Sequence, residues 1–504
     1  MAIEDATAAT LDDVTSGETA SPRPAPAAAR GVVGNREARD KPAVSGAEAA
    51  RAALLTAPIL PTLFRLALPT VTVLVAQTAV NIAEAYYVGF LGTDALAGVA
   101  LVFPVFMLMT MMSNGGLGSG VASSVARAVG AGRHDDANAL LFHAIVLAAV
   151  VGALFMLAAE FAGPLLYRAL GGQGGALAAA LRYSNYLFAG SIAVWIVNLQ
   201  QAALRGAGNV KVPALVTLVG AIVMIPLSPL LIFGFGPLPR LGIAGAGVAF
   251  GLYYCGAALF LLRYMASGRA GLMLRPAALR YALFADILKV GLPTSLNAGL
   301  TNLTVILVTG AVGLSGTAAL AGYGCASRLD YIMIPLLFGV GTATLTMVGV
   351  NVGAGQGARA RKIGWVSGVV GLCLTGSIGL FVAIFPTLWL HLFSHDAEVV
   401  AEGVTYLRVV APAYSALGFG FVVAFAAQGT GRALLPLVAS SARILIAAGG
   451  GWIAVSYFGA SMPGLAALVA ASLVAYAVLC TIILLSDAVW KAEPREAFAS
   501  AAKK

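Results

Sequence analysis

An all-α integral membrane fold of twelve transmembrane helices, in two six-helix lobes related by a pseudo-twofold axis along the membrane normal, follows from three observations. Of 504 residues, 60% are hydrophobic and only 10% charged, whereas soluble domains carry about 25% charged residues. Apolar runs recur from Leu63 to Asp487, each reaching the roughly 20 residues that cross a hydrocarbon core about 30 Å thick. The last six runs repeat the first six in the same order.

The expected spans are 63–91, 94–126, 138–168, 177–204, 212–235 and 241–265, then 285–314, 317–351, 362–393, 397–427, 433–458 and 462–487. Residues 1–61 are rich in Ala, Pro and Gly and lack the apolar core of a signal peptide, so they read as a disordered cytoplasmic tail. An N-lobe over 62–266 follows. The polar stretch 267–284, with Arg269, Arg275, Pro276 and Arg280, reads as a cytoplasmic linker. A C-lobe over 285–490 and a cytoplasmic tail over 491–504 complete the chain. The 60 glycines and 22 prolines fit bundles in which small residues bring helices close and proline kinks are tolerated. Segments such as 145–157 and 466–485 lack the strict alternation of a transmembrane β-barrel. Cys255, Cys325, Cys373 and Cys480 fall inside apolar spans without paired or metal-ligand spacing, and read as packing residues.

The net charge of +9 sorts by loop. Lys and Arg concentrate in the segments that share a side with the N-terminus, and only Arg168, Arg182, Arg240 and Arg408 fall on the other side. By the positive-inside rule both termini are expected in the cytoplasm. No nucleic-acid partner is expected. The halves superpose with an offset of about 223 residues: Ala67-Leu68-Pro69-Thr70 falls on Gly291-Leu292-Pro293-Thr294, Gly92-Thr93-Asp94-Ala95 on Gly316-Thr317-Ala318-Ala319, Val129-Gly130-Ala131-Gly132 on Val352-Gly353-Ala354-Gly355, and Gly206-Ala207-Gly208 on Gly429-Thr430-Gly431. Six spans per half make the repeats parallel, with a cleft between lobes that can rock about a midplane site. Transport is the function class this implies.

At these residues the chain resembles the multidrug and toxic compound extrusion (MATE) family, from about Arg65 to Leu485. The opening helix, from Ala67-Leu68-Pro69 to Glu84-Ala85-Tyr86-Tyr87-Val88-Gly89, the turn Leu204-Arg205-Gly206-Ala207-Gly208-Asn209 with Pro213, and Leu241-Gly242-Ile243-Ala244-Gly245-Ala246 carry the likeness. It implies a bacterial inner-membrane exporter of amphipathic, often cationic organic compounds, working as a monomer among membrane lipids. Proton or sodium antiport would drive it, with no other cofactor and no bound metal. The chain departs from the family where Met224 and Ser228 stand at fifth-helix cation-site positions, and where Thr301 and Asn302 stand near a seventh-helix acid position, so neither established ion site is present intact.

An ionisable residue in a span costs several kcal/mol, about 2.5–3.5 for Asp on translocon scales, and is a functional candidate by default. Glu84 shares one helix face with Asn81 and Gln77. It can take up a proton on one side and release it on the other, or it can simply fix helix packing. Asp330 is the second coupling candidate, with Arg328 and Arg443 as possible ion-pair partners. Gln77, Asn81, Trp195, Asn198, Gln201, Asn297, Asn302 and Tyr331 are candidates for the substrate cleft, interhelical hydrogen bonding being the alternative for the amides. Phe103, Phe106 and Tyr323 are weaker candidates for stacking on an organic cation.

Gly353-Ala354-Gly355-Gln356-Gly357-Ala358 fits a dinucleotide pattern, yet it joins two apolar helices and follows no strand. There is no Walker motif, HExxH, GxSxG or His/Cys cluster, so neither direct ATP drive nor an intramembrane enzyme is expected. A flippase of lipid-linked sugars or other amphipathic lipid precursors is the alternative; it would place basic residues within the first spans, whose centres here have none.

Overall fold

The computed structural model describes residues 46–234 and 239–490. Residues 1–45 of the expected tail 1–61, and the whole expected tail 491–504, lie outside the described residues. A short helix α1 (Gly46–Thr56) precedes the spans. The N-lobe comprises α2 (Ile59–Gly89), α3 (Thr93–Gly130), α4 (His134–Ala169), the bent pair α5 (Gly174–Ala189) and α6 (Ser191–Gly206), α7 (Lys211–Phe233) and α8 (Ile243–Ala266). The C-lobe comprises α9 (Tyr281–Gly313), α10 (Thr317–Gly353), α11 (Gly357–Ile384), α12 (Ala397–Gly429), α13 (Leu434–Phe458) and α14 (Met462–Leu485). Among the described residues eleven helices are each long and apolar enough to span a membrane, and the count is twelve when α5–α6, bent by 48° at Gly190, is taken as one span.

Some of the helix irregularities repeat with the sequence and some do not. The bend at Gly190 corresponds to the 3₁₀ turn Ala411–Ala413 inside α12, where Pro412 removes a ladder donor. Pro69 in α2 and Pro293 in α9 sit at matching depths. The π-helical turn Met111–Leu117 in α3 has no counterpart in α10, and that of α13, Leu445–Gly450, has none in α7. Such turns occur frequently at functional sites.

The disordered expectation for 1–61 fails over its last part. Residues 46–56 are helical and α2 starts at Ile59. Leu54 is buried, Arg51 donates to the Gly130 carbonyl at 2.9 Å, and Asn351 Nδ2 donates to the Leu54 carbonyl at 3.2 Å. Partners 79 and 297 residues away hold this segment, so local composition did not reveal it. The linker is shorter than expected, because α9 begins at Tyr281. It is also docked rather than loose: Met273 N–H donates to Asn138 Oδ1 at 2.7 Å, and Arg280 N–H to His143 Nε2 at 2.8 Å.

The lobes meet on the face that carries the Gly130 and Gly353 turns, through pairs obeying the pseudo-twofold. A Cβ on Gly130 would lie 2.0 Å from the Val350 carbonyl oxygen, and one on Gly353 2.1 Å from that of Arg127. Ser123 Oγ donates to the Gln428 carbonyl at 2.5 Å, while its counterpart Thr346 donates to the Arg205 carbonyl at 3.0 Å. Asymmetry enters with Arg127, which hydrogen-bonds Ser123 and pairs with Asp286 of the C-lobe at 2.6 Å; both side chains are nearly buried. Breaking a buried pair from one side costs about 3–5 kcal/mol because the surviving charge is left uncompensated. Arg127→Ala is therefore expected to lower the thermal unfolding temperature of the purified protein by several degrees, and Arg127→Ala/Asp286→Asn to restore part of it. A double variant less stable than Arg127→Ala would contradict the pairing.

Candidate functional site

Four helices divide along their length into a contact half and a cavity half. On α3 the inter-lobe contacts run from Gly116 to Gly130 and the cavity residues from Phe106 to Gly115; on α10 the contacts run from Gly339 to Gly353 and the cavity residues from Ile334 to Phe338. On α2 Ala67 and Val71 pack on Gly339, whereas Leu74 to Glu84 face the cavity. On α9 Ser295 meets Gly116, and Thr294 to Thr301 line the cavity. The result is a cavity of about 380 Å³ between the lobes, walled at one end by their contact face.

Gln77, Asn81 and Glu84 line it from α2, as the polar face of that helix predicts, together with Asn198 and Asn297. Glu84 accepts a hydrogen bond from Tyr183 of α5 at 3.2 Å. Asn198 Nδ2 donates to Ser113 Oγ at 2.7 Å, within the π-helical turn, and Asn297 Oδ1 is buried with no hydrogen-bond partner. Among the lining residues Glu84 is the one that carries a formal charge.

Four expected cleft residues lie elsewhere. Trp195 is fully buried inside the N-lobe, because its face of α6 packs among neighbouring spans. Gln201 is buried against Thr217 at 3.4 Å, and Thr217 is the one that reaches the cavity. Asn302 folds back on the Ala298 carbonyl at 3.0 Å and contacts Met111 Sδ at 3.3 Å. Tyr331 is 74% exposed and is not among the residues that line the cavity, although it shares a face of α10 with Pro335 and Phe338, which do. Of the weaker aromatic candidates only Phe106 lines the cavity.

Asp330 is not part of this cavity. It lies inside the C-lobe facing Tyr414 and Arg443, and no salt bridge joins it to Arg443 among the described residues. Asp330 Oδ1 and Arg443 Nε are both buried without a hydrogen-bond partner. Phenol rings occupy this region instead: Tyr323 and Tyr406 meet edge to face at 5.2 Å, and Tyr414 is buried beside them. Arg328 does not pair with Asp330 either; its guanidinium lies 4.8 Å above the Phe393 ring on the exposed surface. Tyr406 is the repeat counterpart of Tyr183, so each lobe sets one carboxylate near an equivalent tyrosine, with only the N-lobe carboxylate reaching the shared cavity.

The residues that sequence reasoning missed are mostly aromatic. Phe250, Tyr253 and Tyr254 of α8, Phe338 of α10, Phe421 and Phe425 of α12 and Tyr476 of α14 line the cavity. Phe106 meets Phe250 edge to face at 5.2 Å, and Phe338 meets Phe425 at 5.5 Å. Asn114 of α3 lines it too, held by the buried Arg205, whose Nη2 donates to Asn114 Oδ1 at 2.8 Å. Gln428 lies opposite in the repeat, at the position corresponding to Arg205. The turn motif Leu204-Arg205-Gly206 marked this place in the sequence, but nothing local tied Arg205 to Asn114, 91 residues away.

The arrangement can hold an aromatic or amphipathic molecule by stacking and hydrogen bonds, beside one carboxylate. Comparison with known proteins agrees with a transporter. The family model MatE matches residues 69–230 and 293–453, one match in each lobe. A FAD transporter of Shewanella oneidensis is 26% identical over 401 residues, covering 79% of this chain and 88% of that protein. A probable multidrug resistance protein NorM of Thermotoga maritima is 24% identical over 407 residues, covering 79% and 86%. The fold is that of a crystal structure of a MATE in the bent conformation, with a TM-score of 0.80 at 22% identity, covering 90% of this chain and 99% of that one. A MOP superfamily transporter from Pyrococcus furiosus superposes with a TM-score of 0.77 at 24% identity, covering 90% and 98%. With both repeats matched, in register with the twelve spans and the cavity between them, this chain belongs to the MATE family of membrane transporters.

Proposed function

We propose that the chain is a secondary active exporter of amphipathic, aromatic organic cations, which it exchanges for protons at Glu84. The observation that carries this reading is the lining of the cavity: aromatic rings and amides from both lobes surround a single formally charged group, a carboxylate. Rings stack on planar organic cations and favour them electrostatically. A carboxylate that neutralises either a bound cation or a proton, but not both, couples their movements through competition. Protons are favoured over sodium because a hard cation requires several oxygen ligands, whereas the contact made by the Glu84 carboxylate is one phenol.

In this account the face where the lobes meet is cytoplasmic, the protein sits in the bacterial inner membrane as a monomer, and transport follows from alternately closing the two faces around the cavity. Asp330, enclosed within the C-lobe, is an accessory site rather than the coupling residue. The lining offers no Lys or Arg, which argues against anionic dinucleotides such as the cargo named for the Shewanella oneidensis relative, and equally against pyrophosphate-linked lipid precursors. The test is efflux of a fluorescent cationic dye from cells lacking their own exporters, with proton and sodium gradients collapsed separately. Efflux that stops only when the proton gradient is removed is the expected result; dependence on sodium alone would overturn the choice of ion, and no efflux under any gradient would overturn the choice of substrate.

A further inference from the structure

The face where the lobes meet carries one element that the transport cycle above does not use. Helix α1 lies across it and holds both lobes. Toward the N-lobe, Arg51 Nη2 and Nε donate to the Gly130 carbonyl at 2.9 and 3.3 Å, in the turn between α3 and α4. Leu54 is buried so close to the turn after α6 that a Cβ on Gly208 would lie 2.9 Å from it. Toward the C-lobe, Asn351 Nδ2 donates to the Leu54 carbonyl at 3.2 Å, and Arg359 Nη2 donates to the Ala57 carbonyl at 2.5 Å. The opposite side of the helix, at Glu48, Ala49 and Ala52, is exposed.

We propose that α1 is an intramolecular latch: residues 46–57 occupy a surface built jointly by the two lobes and hold that face shut. The geometry leaves little slack. Only Ala57 and Pro58 separate α1 from α2, so the segment cannot stretch when the lobes move apart. A hydrogen bond is lost beyond about 3.5 Å, and any separation of the Gly130 and Arg359 anchors by more than this reach breaks one set of contacts. Opening this face therefore requires α1 to release one lobe, and the strength of its docking sets how often the face opens. The proposal rests on the reading that the lobes alternate; it does not depend on the substrate or the coupling ion.

The experiment measures the distance between spin labels on the two lobes at this face. His134 and Ala358, both exposed, are replaced by cysteine in the full chain after Cys255, Cys325, Cys373 and Cys480 are exchanged for serine or alanine, and the protein is studied in lipid nanodiscs. The intact chain is expected to give mainly one short distance. Arg51→Ala and Arg359→Ala, which loosen the N-lobe and C-lobe ends of the latch respectively, are each expected to raise the ratio of separated to joined lobes by about tenfold, as the loss of a charged hydrogen bond implies. Deletion of residues 1–57 is expected to raise it further. Unchanged distances in both single variants would overturn the proposal even if the deletion fails to fold, as would an intact chain that is already mostly separated. Dye efflux in the same variants separates the two readings: absent efflux with the expected distance change counts against the transport reading alone.

Discussion

Glu84→Gln is expected to reduce gradient-driven dye efflux to the level of cells without the transporter, while the protein remains folded and present in the membrane. Glutamine keeps the size of the side chain, and its amide oxygen can accept the Tyr183 hydroxyl that Glu84 accepts at 3.2 Å, so the packing of α2 against α5 is retained. What is lost is the ability to bind and release a proton where the substrate sits. Tyr183→Phe provides a graded comparison. It removes one hydrogen bond to a charged group, about 1.5–3 kcal/mol, without removing the carboxylate, and should weaken efflux without abolishing it. Normal efflux by Glu84→Gln would move the coupling role to another group, and Asp330 would be the next to test.

The second large effect is steric. At Gly130 and Gly353 the contact is with main-chain carbonyl oxygens, at 2.0 and 2.1 Å from where a Cβ would stand, and a carbonyl in a helix cannot turn aside as a side chain can. Overpacking of this kind costs about 1–3 kcal/mol, and here the least resisted relaxation is separation of the lobes. Gly130→Ala and Gly353→Ala are therefore expected to bias the protein against closing this face by roughly tenfold or more and to slow efflux, with equal effects from the two sides of the pseudo-twofold. Gly324, whose Cβ position has nothing within 4 Å, supplies the control: Gly324→Ala should transport normally. Wild-type efflux by both Gly130→Ala and Gly353→Ala would mean that the lobes do not close here during transport.

The spans, the lobes and their parallel relation were readable because they depend on signals the chain repeats: apolar length, the loop bias of Lys and Arg, and the offset that maps Gly206 onto Gly429. Glu84, Asn81 and Gln77 were readable because polar residues on one face of an apolar helix are few. The aromatic wall was not. In a span apolar all round, Tyr254 and Phe338 give no periodic sign of which face meets the cavity and which meets lipid or a neighbour. Asp330 and Glu84 looked equivalent for the same reason, and only the packing shows that one opens to the cavity while the other is enclosed by Tyr406 and Tyr414. Helix α1 was missed because an Ala-rich segment gains its order from distant partners, Gly130, Asn351 and Arg359.

The most direct test of exchange at Glu84 is whether binding of a cationic dye to the purified protein, in weakly buffered detergent solution, releases protons. The account predicts acidification that saturates with dye binding in the wild-type protein, and dye binding without acidification in Glu84→Gln. Equal proton release from both proteins, or wild-type binding with no release, would contradict it.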